Sequence, residues 1–286
     1  MISIKKNTDT KKIEYKANPT TYSGYGSWGQ SRLEDDKDIK EFLTFCYNKQ
    51  EDEAIKLYDE KKLDYGKYLK LTIPDVEKIA KGESFNNSNT SYNYTYGALI
   101  CLVVKLKCPK VYEHLIKAAR TSFENKTSTN SYVSKIYATD TNYNKLAIVV
   151  IKQYNENPDE VNAELLKITI ENIDILATTS SSGADDDFLR ILTRNKDIPF
   201  EYVEKTSKLV DNEFIITNES YSKGSESALK NVISNNRKDL IKLFLNRITV
   251  ISKELFNMLD EEDKSFVESK NIQIEQYHRN RYGSFT

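Results

Sequence analysis

The stretch Ser227–Arg247 reads SALKNVISNNRKDLIKLFLNR, and it decides which fold class the sequence predicts. Its apolar residues recur every three to four positions, the spacing of one helical face, both before and after a polar centre. They are Ala228, Leu229, Val232 and Ile233 in the first half and Leu240, Ile241, Phe244 and Leu245 in the second. The pattern predicts two short helices joined by a tight turn. Such a pair cannot bury both apolar faces alone, so it must stack on neighbouring pairs.

Similar apolar segments recur along the chain and begin near Ile39, Gly97, Asn144, Asp185 and Ser227. Their spacing is irregular, about 40 to 60 residues, because polar segments of varied length separate them. Lys253–Leu259 predicts one more helix, and polar Asp263–Lys270 predicts a closing turn. We therefore expect an all-α fold, a helix-pair repeat solenoid over residues 37–268. An irregular N-terminal arm occupies residues 1–36, and a C-terminal tail occupies residues 269–286.

Ser227–Leu245 resembles an ankyrin repeat, whose pattern opens T-P-L-H-x-A-A, passes an N-G turn and ends I-V-K-L-L-L. In this chain SALKNVI aligns with T-P-L-H-x-A-A, Asn235–Asn236 aligns with the turn, and LIKLFL aligns with I-V-K-L-L-L, without gaps. Glu41–Glu60 is a looser match, with AIKLY in the last place. The opening T-P-L-H is nowhere intact and the turn glycines are missing. The resemblance implies an irregular ankyrin-like array that binds proteins, with a HEAT-like or other helical stack as the alternative, and it brings no catalytic residues.

Composition agrees with helices and excludes several classes of protein. Hydrophobic residues make up 38% of the 286 residues, which suits an array with much surface per residue. With only 9 Gly and 5 Pro, a many-turned all-β fold is disfavoured. The formal net charge of -1 gives no overall basic bias toward nucleic acid or a membrane surface.

Three cysteines, Cys46, Cys101 and Cys108, form no CxxC pair, so neither a disulfide framework nor a zinc site is supported. Cys46 and Cys101 lie inside apolar stripes and are expected to be core residues. We expect a reducing compartment and a cytoplasmic location. The charged N-terminus has no apolar core of a secretory signal, and the longest apolar run, Ala98–Val104, is too short to span a bilayer.

Candidate catalytic and metal-binding residues have simpler structural interpretations. His114 would need to approach Cys101 or Cys108 to form a nucleophile pair, and a structural role is the simpler expectation. Asp185–Asp187 could hold a divalent cation, but an acidic first helical turn explains these residues better. Gly24-x-Gly26-x-x-Gly29 matches a dinucleotide-binding spacing without the strand and helix that this motif needs. We therefore expect no enzyme activity, no metal and no cofactor.

Aromatic residues in the polar segments are the candidate partner-binding residues. Tyr22, Tyr25 and Trp28 interleave with glycine in the arm, and Tyr277, Arg279, Arg281 and Tyr282 mix aromatic and basic groups in the tail. Tyr92, Tyr94, Tyr96 and Tyr132 stand in the loops between helix pairs. Such groups anchor protein interfaces, and arginine with aromatic planes can also grip RNA.

Two functions are expected from this pattern. The first is a non-catalytic intracellular binding or scaffold protein that contacts another protein or protein complex through its concave face and long loops. The alternative is an accessory factor of a ribonucleoprotein such as the ribosome, anchored through the aromatic and basic termini. In the alternative, RNA contacts involve the C-terminal tail. No membrane contact is expected in either.

Overall fold

The computed structural model describes residues 37–83, 97–124, 136, 138–142, 144–176, 188–216 and 227–276. The first half of this part contains α1 (Lys37–Tyr47), α2 (Glu51–Lys61), β1 (Tyr68–Leu69), α3 (Ile73–Ala80), β2 (Gly97–Ala98), α4 (Leu99–Lys105), α5 (Pro109–Glu124) and α6 (Leu146–Glu156). The second half contains α7 (Glu160–Glu171), a 3-10 helix (Ile173–Ile175), α8 (Phe188–Arg194), α9 (Phe200–Ser207), α10 (Glu213–Ile216), α11 (Ala228–Ser234), α12 (Lys238–Leu245), β3 (Val250–Ser252), α13 (Lys253–Met258), α14 (Glu261–Ser269) and β4 (Gln273–Glu275). The structure is therefore mostly helical, as the sequence predicts.

The helix pair predicted over Ser227–Arg247 is confirmed as α11 and α12. Ser227 begins α11 as an N-cap, since its side-chain oxygen accepts a hydrogen bond from the Lys230 N–H. Every predicted stripe residue is buried except Ile233, which packs partly buried against the core. Burial of these side chains is the main stabilising contribution of the pair.

The turn between paired helices recurs with the same hydrogen bonds. Lys49, Lys107 and Asn236 adopt left-handed backbone conformations with φ of 62°, 56° and 53°. The N–H of each donates to the carbonyl three residues earlier, and the next N–H donates to the carbonyl five residues earlier. This arrangement satisfies the last carbonyls of α1, α4 and α11. The turn therefore needs no glycine, although glycine is the residue that this conformation favours.

The helices contact one another in two rows. The first helices of the pairs make one row, in the order α4, α6, α8, α11 and α13. The second helices make the other row, in the order α2, α5, α7, α9, α12 and α14. Within pairs, α1 contacts α2, α4 contacts α5, α6 contacts α7, α8 contacts α9, and α11 contacts α12. Each pair thus buries its apolar faces against the pairs before and after it.

Six consecutive residues in each of the first helices α4, α6 and α8 are buried. These buried stretches are Leu99–Val104 in α4, Leu146–Ile151 in α6 and Phe188–Thr193 in α8. A helix that is apolar all round must be covered on every side. The carbonyls of Lys67 and Tyr65 cap the start of α4, and elsewhere in the array α3 packs on α1 and α10 packs on α11.

The strands are short and lie between helices. β1 pairs antiparallel with β2, and β3 pairs in parallel with β4, in register Ile251 to Ile274. Two predictions need correction here. The predicted helix start at Gly97 is strand β2, with α4 beginning at Leu99, and the predicted closing turn Asp263–Lys270 lies largely within helix α14. β4 falls in the range that the sequence assigned to the tail.

Polar bonds join the turns of neighbouring helix pairs. Lys49 Nζ donates to the carbonyls of Leu106 and Lys107. Arg237 Nη1 donates to the carbonyls of Lys196 and Ile198, both at 2.8 Å. These bonds satisfy carbonyls that the helix ends leave without a partner. They fix the spacing of neighbouring pairs.

Candidate functional site: the loop edge

Four polar segments leave the helix pairs, at residues 84–96, 125–135, 177–187 and 217–226, and all four lie outside the described residues. The described residues that flank three of them are joined by backbone hydrogen bonds. The Ala98 N–H donates to the Thr139 carbonyl at 2.8 Å, and the Ile136 N–H donates to the Ile175 carbonyl at 2.7 Å. We call these flanking residues, 97–99, 136, 138–141 and 175–176, the loop edge. The ends of three long polar segments therefore meet at one place.

Asp140 organises the centre of the loop edge. Its carboxylate is buried, and Oδ1 accepts hydrogen bonds from the N–H groups of Asn142 and Asn144 at 2.9 and 3.0 Å. Lys105 Nζ, at the end of α4, donates to Oδ2 at 3.0 Å. A buried carboxylate with this many donors holds a turn in one conformation. Because its oxygens are already hydrogen-bonded, Asp140 has a positioning role at the edge.

Gly97 lies where two segments of the loop edge approach closely. A Cβ atom at this position would be 3.3 Å from the Thr141 backbone nitrogen and 3.6 Å from the Asp140 carbonyl carbon. The 3.3 Å contact with the backbone nitrogen is tighter than most Cβ contacts, so a side chain here would require a shift of a few tenths of an ångström, and the close approach favours glycine. The chain that follows residues 84–96 is thereby held against the turn around Asp140.

Lys145 is a buried lysine beside this turn. It precedes α6, its backbone pairs with that of Thr139 in an isolated antiparallel β-bridge, and the residue is 7% exposed. Burial lowers its pKa below the ordinary value, because removal from water disfavours the charged ammonium. No group of three or more metal-ligating side chains occurs in the part of the chain that the structure describes.

His114 and the cysteines form separate structural contacts. His114 Nε2 lies 2.8 Å from Asp59 Oδ1, and the imidazole packs edge-on against Tyr58. Cys108 donates through its Sγ to the Cys46 carbonyl at 3.1 Å. All three thiols are buried, and burial raises the pKa of Cys101. The expected core positions of Cys46 and Cys101 are confirmed, and the histidine joins α2 to α5.

The structure does not describe the residues that the sequence proposed for partner binding. Tyr22, Tyr25, Trp28, Tyr92, Tyr94, Tyr96, Tyr132, Tyr277, Arg279, Arg281 and Tyr282 all lie outside the described residues, as do Asp185–Asp187 and the glycines at 24, 26 and 29. Sequence reasoning missed Asp140. Its signal was the Asp-x-Asn-x-Asn spacing of residues 140–144, which is typical of a side-chain-capped turn.

Comparison with known proteins identifies no relative: no family model, no curated protein and no solved structure matches the chain. Among the helices of the described ranges, none has both the length and the apolar character needed to cross a membrane.

Proposed function

We propose that the chain is a non-catalytic, cytoplasmic binding or scaffold protein, built as an irregular, ankyrin-like array of helix pairs. In this proposal, the helices serve as a rigid support, and the polar segments at the loop edge contact a partner protein. Support for the array comes from the order of helix contacts, in which first helices touch first helices and second helices touch second helices.

The observation that carries this proposal is the meeting of segment ends at the loop edge. Residues 84–96 end at Gly97, which lies against Thr141, and residues 125–135 end at Ile136, which bonds to Ile175. Segments anchored on a rigid support at neighbouring points can act on one partner together. Recognition loops of other proteins use the same arrangement.

The composition of these segments suits protein recognition. Apart from Phe85, residues 84–96 consist entirely of Ser, Asn, Thr and Tyr. Residues 125–135 add Tyr132 among further Ser, Thr and Asn. Tyrosine offers a large amphipathic contact area at low entropic cost, while Ser and Asn provide adaptable hydrogen bonds. Tyr92, Tyr94, Tyr96 and Tyr132 are therefore the proposed central contacts, with Tyr22, Tyr25 and Trp28 of the arm as additional ones.

The test compares captured proteins between two variants of the full chain. Changing Tyr92, Tyr94, Tyr96 and Tyr132 to Ser should abolish capture of specific proteins from a lysate of the source cells, measured by quantitative mass spectrometry. The control variant carries Leu209→Ser and Met258→Ser, two exposed apolar positions away from the loop edge. Capture that is equal for the wild type and the tyrosine variant would contradict the proposal.

The ribonucleoprotein alternative predicts a different outcome in the same system. Removing residues 277–286, which leaves the β3–β4 pairing intact, should then lower both RNA affinity and its dependence on salt. Under the protein-binding proposal, that deletion leaves the proteins captured through the loop-edge tyrosines unchanged.

A further inference from the structure

Two of the three cysteines meet where the first helix pair contacts the pair α4–α5. Cys46 lies in the last turn of α1. Cys108 directly precedes α5, and its carbonyl accepts a hydrogen bond from the Tyr112 N–H at 2.9 Å, so it occupies the start of that helix. The Cys108 thiol donates to the Cys46 carbonyl at 3.1 Å. Both cysteines are fully buried, and a separation of 62 positions in sequence is thus closed to direct contact.

Further hydrogen bonds hold the two turns together beside the cysteines. Lys49 Nζ, three residues after Cys46, donates to the carbonyls of Leu106 and Lys107, which directly precede Cys108. The two thiols are also close enough to act on each other, since their mutual hydrogen bond raises the pKa of Cys46 and lowers the pKa of Cys108. A disulfide can form only between cysteines whose backbones already lie close. The contact of the Cys108 thiol with the Cys46 backbone meets this condition.

The surroundings of Cys108 favour its thiolate, which is the form of cysteine that reacts with oxidants. Cys108 stands at the N-terminus of α5, a helix of 16 residues, where the positive end of the helix dipole stabilises an anion. The hydrogen bond from Cys46 lowers the pKa of Cys108 and the Lys49 ammonium lowers it further, while burial and Glu51 act in the opposite direction. Cys108 is therefore the more acidic thiol of the pair.

We propose that Cys46 and Cys108 form a reversible disulfide when the protein reacts with hydrogen peroxide. The Cys108 sulfur attacks one peroxide oxygen, the O–O bond breaks, and the leaving hydroxide takes the thiol proton, which gives a sulfenic acid and water. The Cys46 sulfur then attacks the Cys108 sulfur, the S–O bond breaks, and the hydroxide leaves as a second water with the Cys46 proton. The two sulfurs lose two electrons in total, and the peroxide gains them.

The cross-link joins the first helix pair covalently to the pair α4–α5. Because both thiols are buried, peroxide reaches them when the turns open locally, and the reaction follows the rate of that opening. Disulfides in reducing compartments are typically transient and redox-sensing, and this pair fits that description. The inference goes beyond the proposed function and does not depend on it, since the loop edge contains neither cysteine.

The test treats the full, native chain with hydrogen peroxide, removes the peroxide, and then counts free thiols under denaturing conditions. The wild type should fall from three free thiols to one. Tryptic digestion followed by mass spectrometry should find the peptide of residues 41–49 joined to the peptide of residues 108–110. Dithiothreitol should separate the two peptides and restore all three thiols.

Cys101→Ala is the matched control, because Cys101 is also buried and lies in the neighbouring helix α4. This variant should still form the same link and lose both of its thiols, whereas Cys46→Ala and Cys108→Ala should form no link within the chain. Retention of all three thiols in the native wild type, a link that includes Cys101, links between chains only, or oxidation of Cys108 to a sulfinic acid with Cys46 unchanged would each overturn the proposal. The wild type alone can give these results, so the test does not depend on the variants folding. Its failure would leave the proposed function standing.

Discussion

Arg120 shows how single side chains tie neighbouring helix pairs together. From α5 its guanidinium donates to Asp174 Oδ1 at 2.9 Å and to Asp174 Oδ2 at 3.1 Å, and it also bonds to the Asn172 side chain. This two-pronged geometry is the strong form of an ion pair. Arg120 thus holds the end of α7 against α5, next to the buried contact between the Tyr112 hydroxyl and Thr169 Oγ1 at 2.9 Å.

The Arg120–Asp174 pair predicts a pH-dependent contribution to stability. The hydrogen bonds from Arg120 hold the pKa of Asp174 below its ordinary value. A lowered carboxyl pKa stabilises the fold above the unfolded pKa, near 4, and this stabilisation is lost as the pH falls through the folded pKa. Asp174→Asn should therefore lower the melting temperature at pH 7, with a loss of about 0.5 to 1 kcal/mol because Asp174 is half exposed.

Once the pH has fallen below the folded-state pKa of Asp174, the wild type and the Asp174→Asn variant should melt together, because protonated aspartate no longer pairs with Arg120. Glu53→Gln is a suitable control, since Glu53 is exposed and makes no ion pair among the described residues. It should change the melting temperature little at neutral pH. A difference between wild type and Asp174→Asn that stays constant from pH 7 to pH 3 would contradict the assignment.

At the scale of elements, the same left-handed turn joins three of the helix pairs, α1–α2, α4–α5 and α11–α12. Asn236 has φ of 53°, and no hydrogen bond or ion pair of its side chain is seen among the described residues. A side chain in this conformation is strained relative to glycine. Asn236→Gly should therefore raise the free energy of unfolding by up to about 1 kcal/mol, measured by urea denaturation.

The control for this prediction lies two residues earlier in the same segment. Ser234 is the last residue of α11 and is exposed, so Ser234→Gly adds backbone freedom without relieving any left-handed strain. It should lower the free energy of unfolding by about 0.5 to 1 kcal/mol. If the two glycine substitutions change the free energy of unfolding in opposite directions, the conformation of Asn236, and not flexibility in general, is the cause.

The helices could be predicted because their information is local. Apolar spacing placed α11 and α12 correctly. α14 was expected to be a turn because its sequence, EEDKSFVES, has few apolar residues, and packing against α12 stabilises it as a helix. The left-handed turns were also missed, since Lys49 and Lys107 stand where the repeat pattern has glycine.

The candidate sites depend on contacts that sequence spacing cannot give. Asp140 reaches Lys105 only because α4 and α6 are packed together. Burial of α4, α6 and α8 on all sides was visible as continuous apolar runs, LICLVV among them, and these runs indicate a covered helix more than an exposed face.

At the scale of the whole molecule, the order of helix contacts predicts how the chain unfolds. Phe42 in α1 and Phe244 in α12 are both fully buried, and they stand near opposite ends of the helix rows. Each change to Ala should cost about 3 to 5 kcal/mol at its own site. In an array, stability is a sum of terms from units and their neighbours, so the loss stays near the substitution.

Hydrogen–deuterium exchange should show faster exchange in α1–α3 for Phe42→Ala and in α11–α14 for Phe244→Ala. Each variant serves as the other's control, because the residue type, burial and cavity chemistry are the same. Uniformly faster exchange along the whole chain in both variants would show one cooperative core and would contradict the helix-pair array.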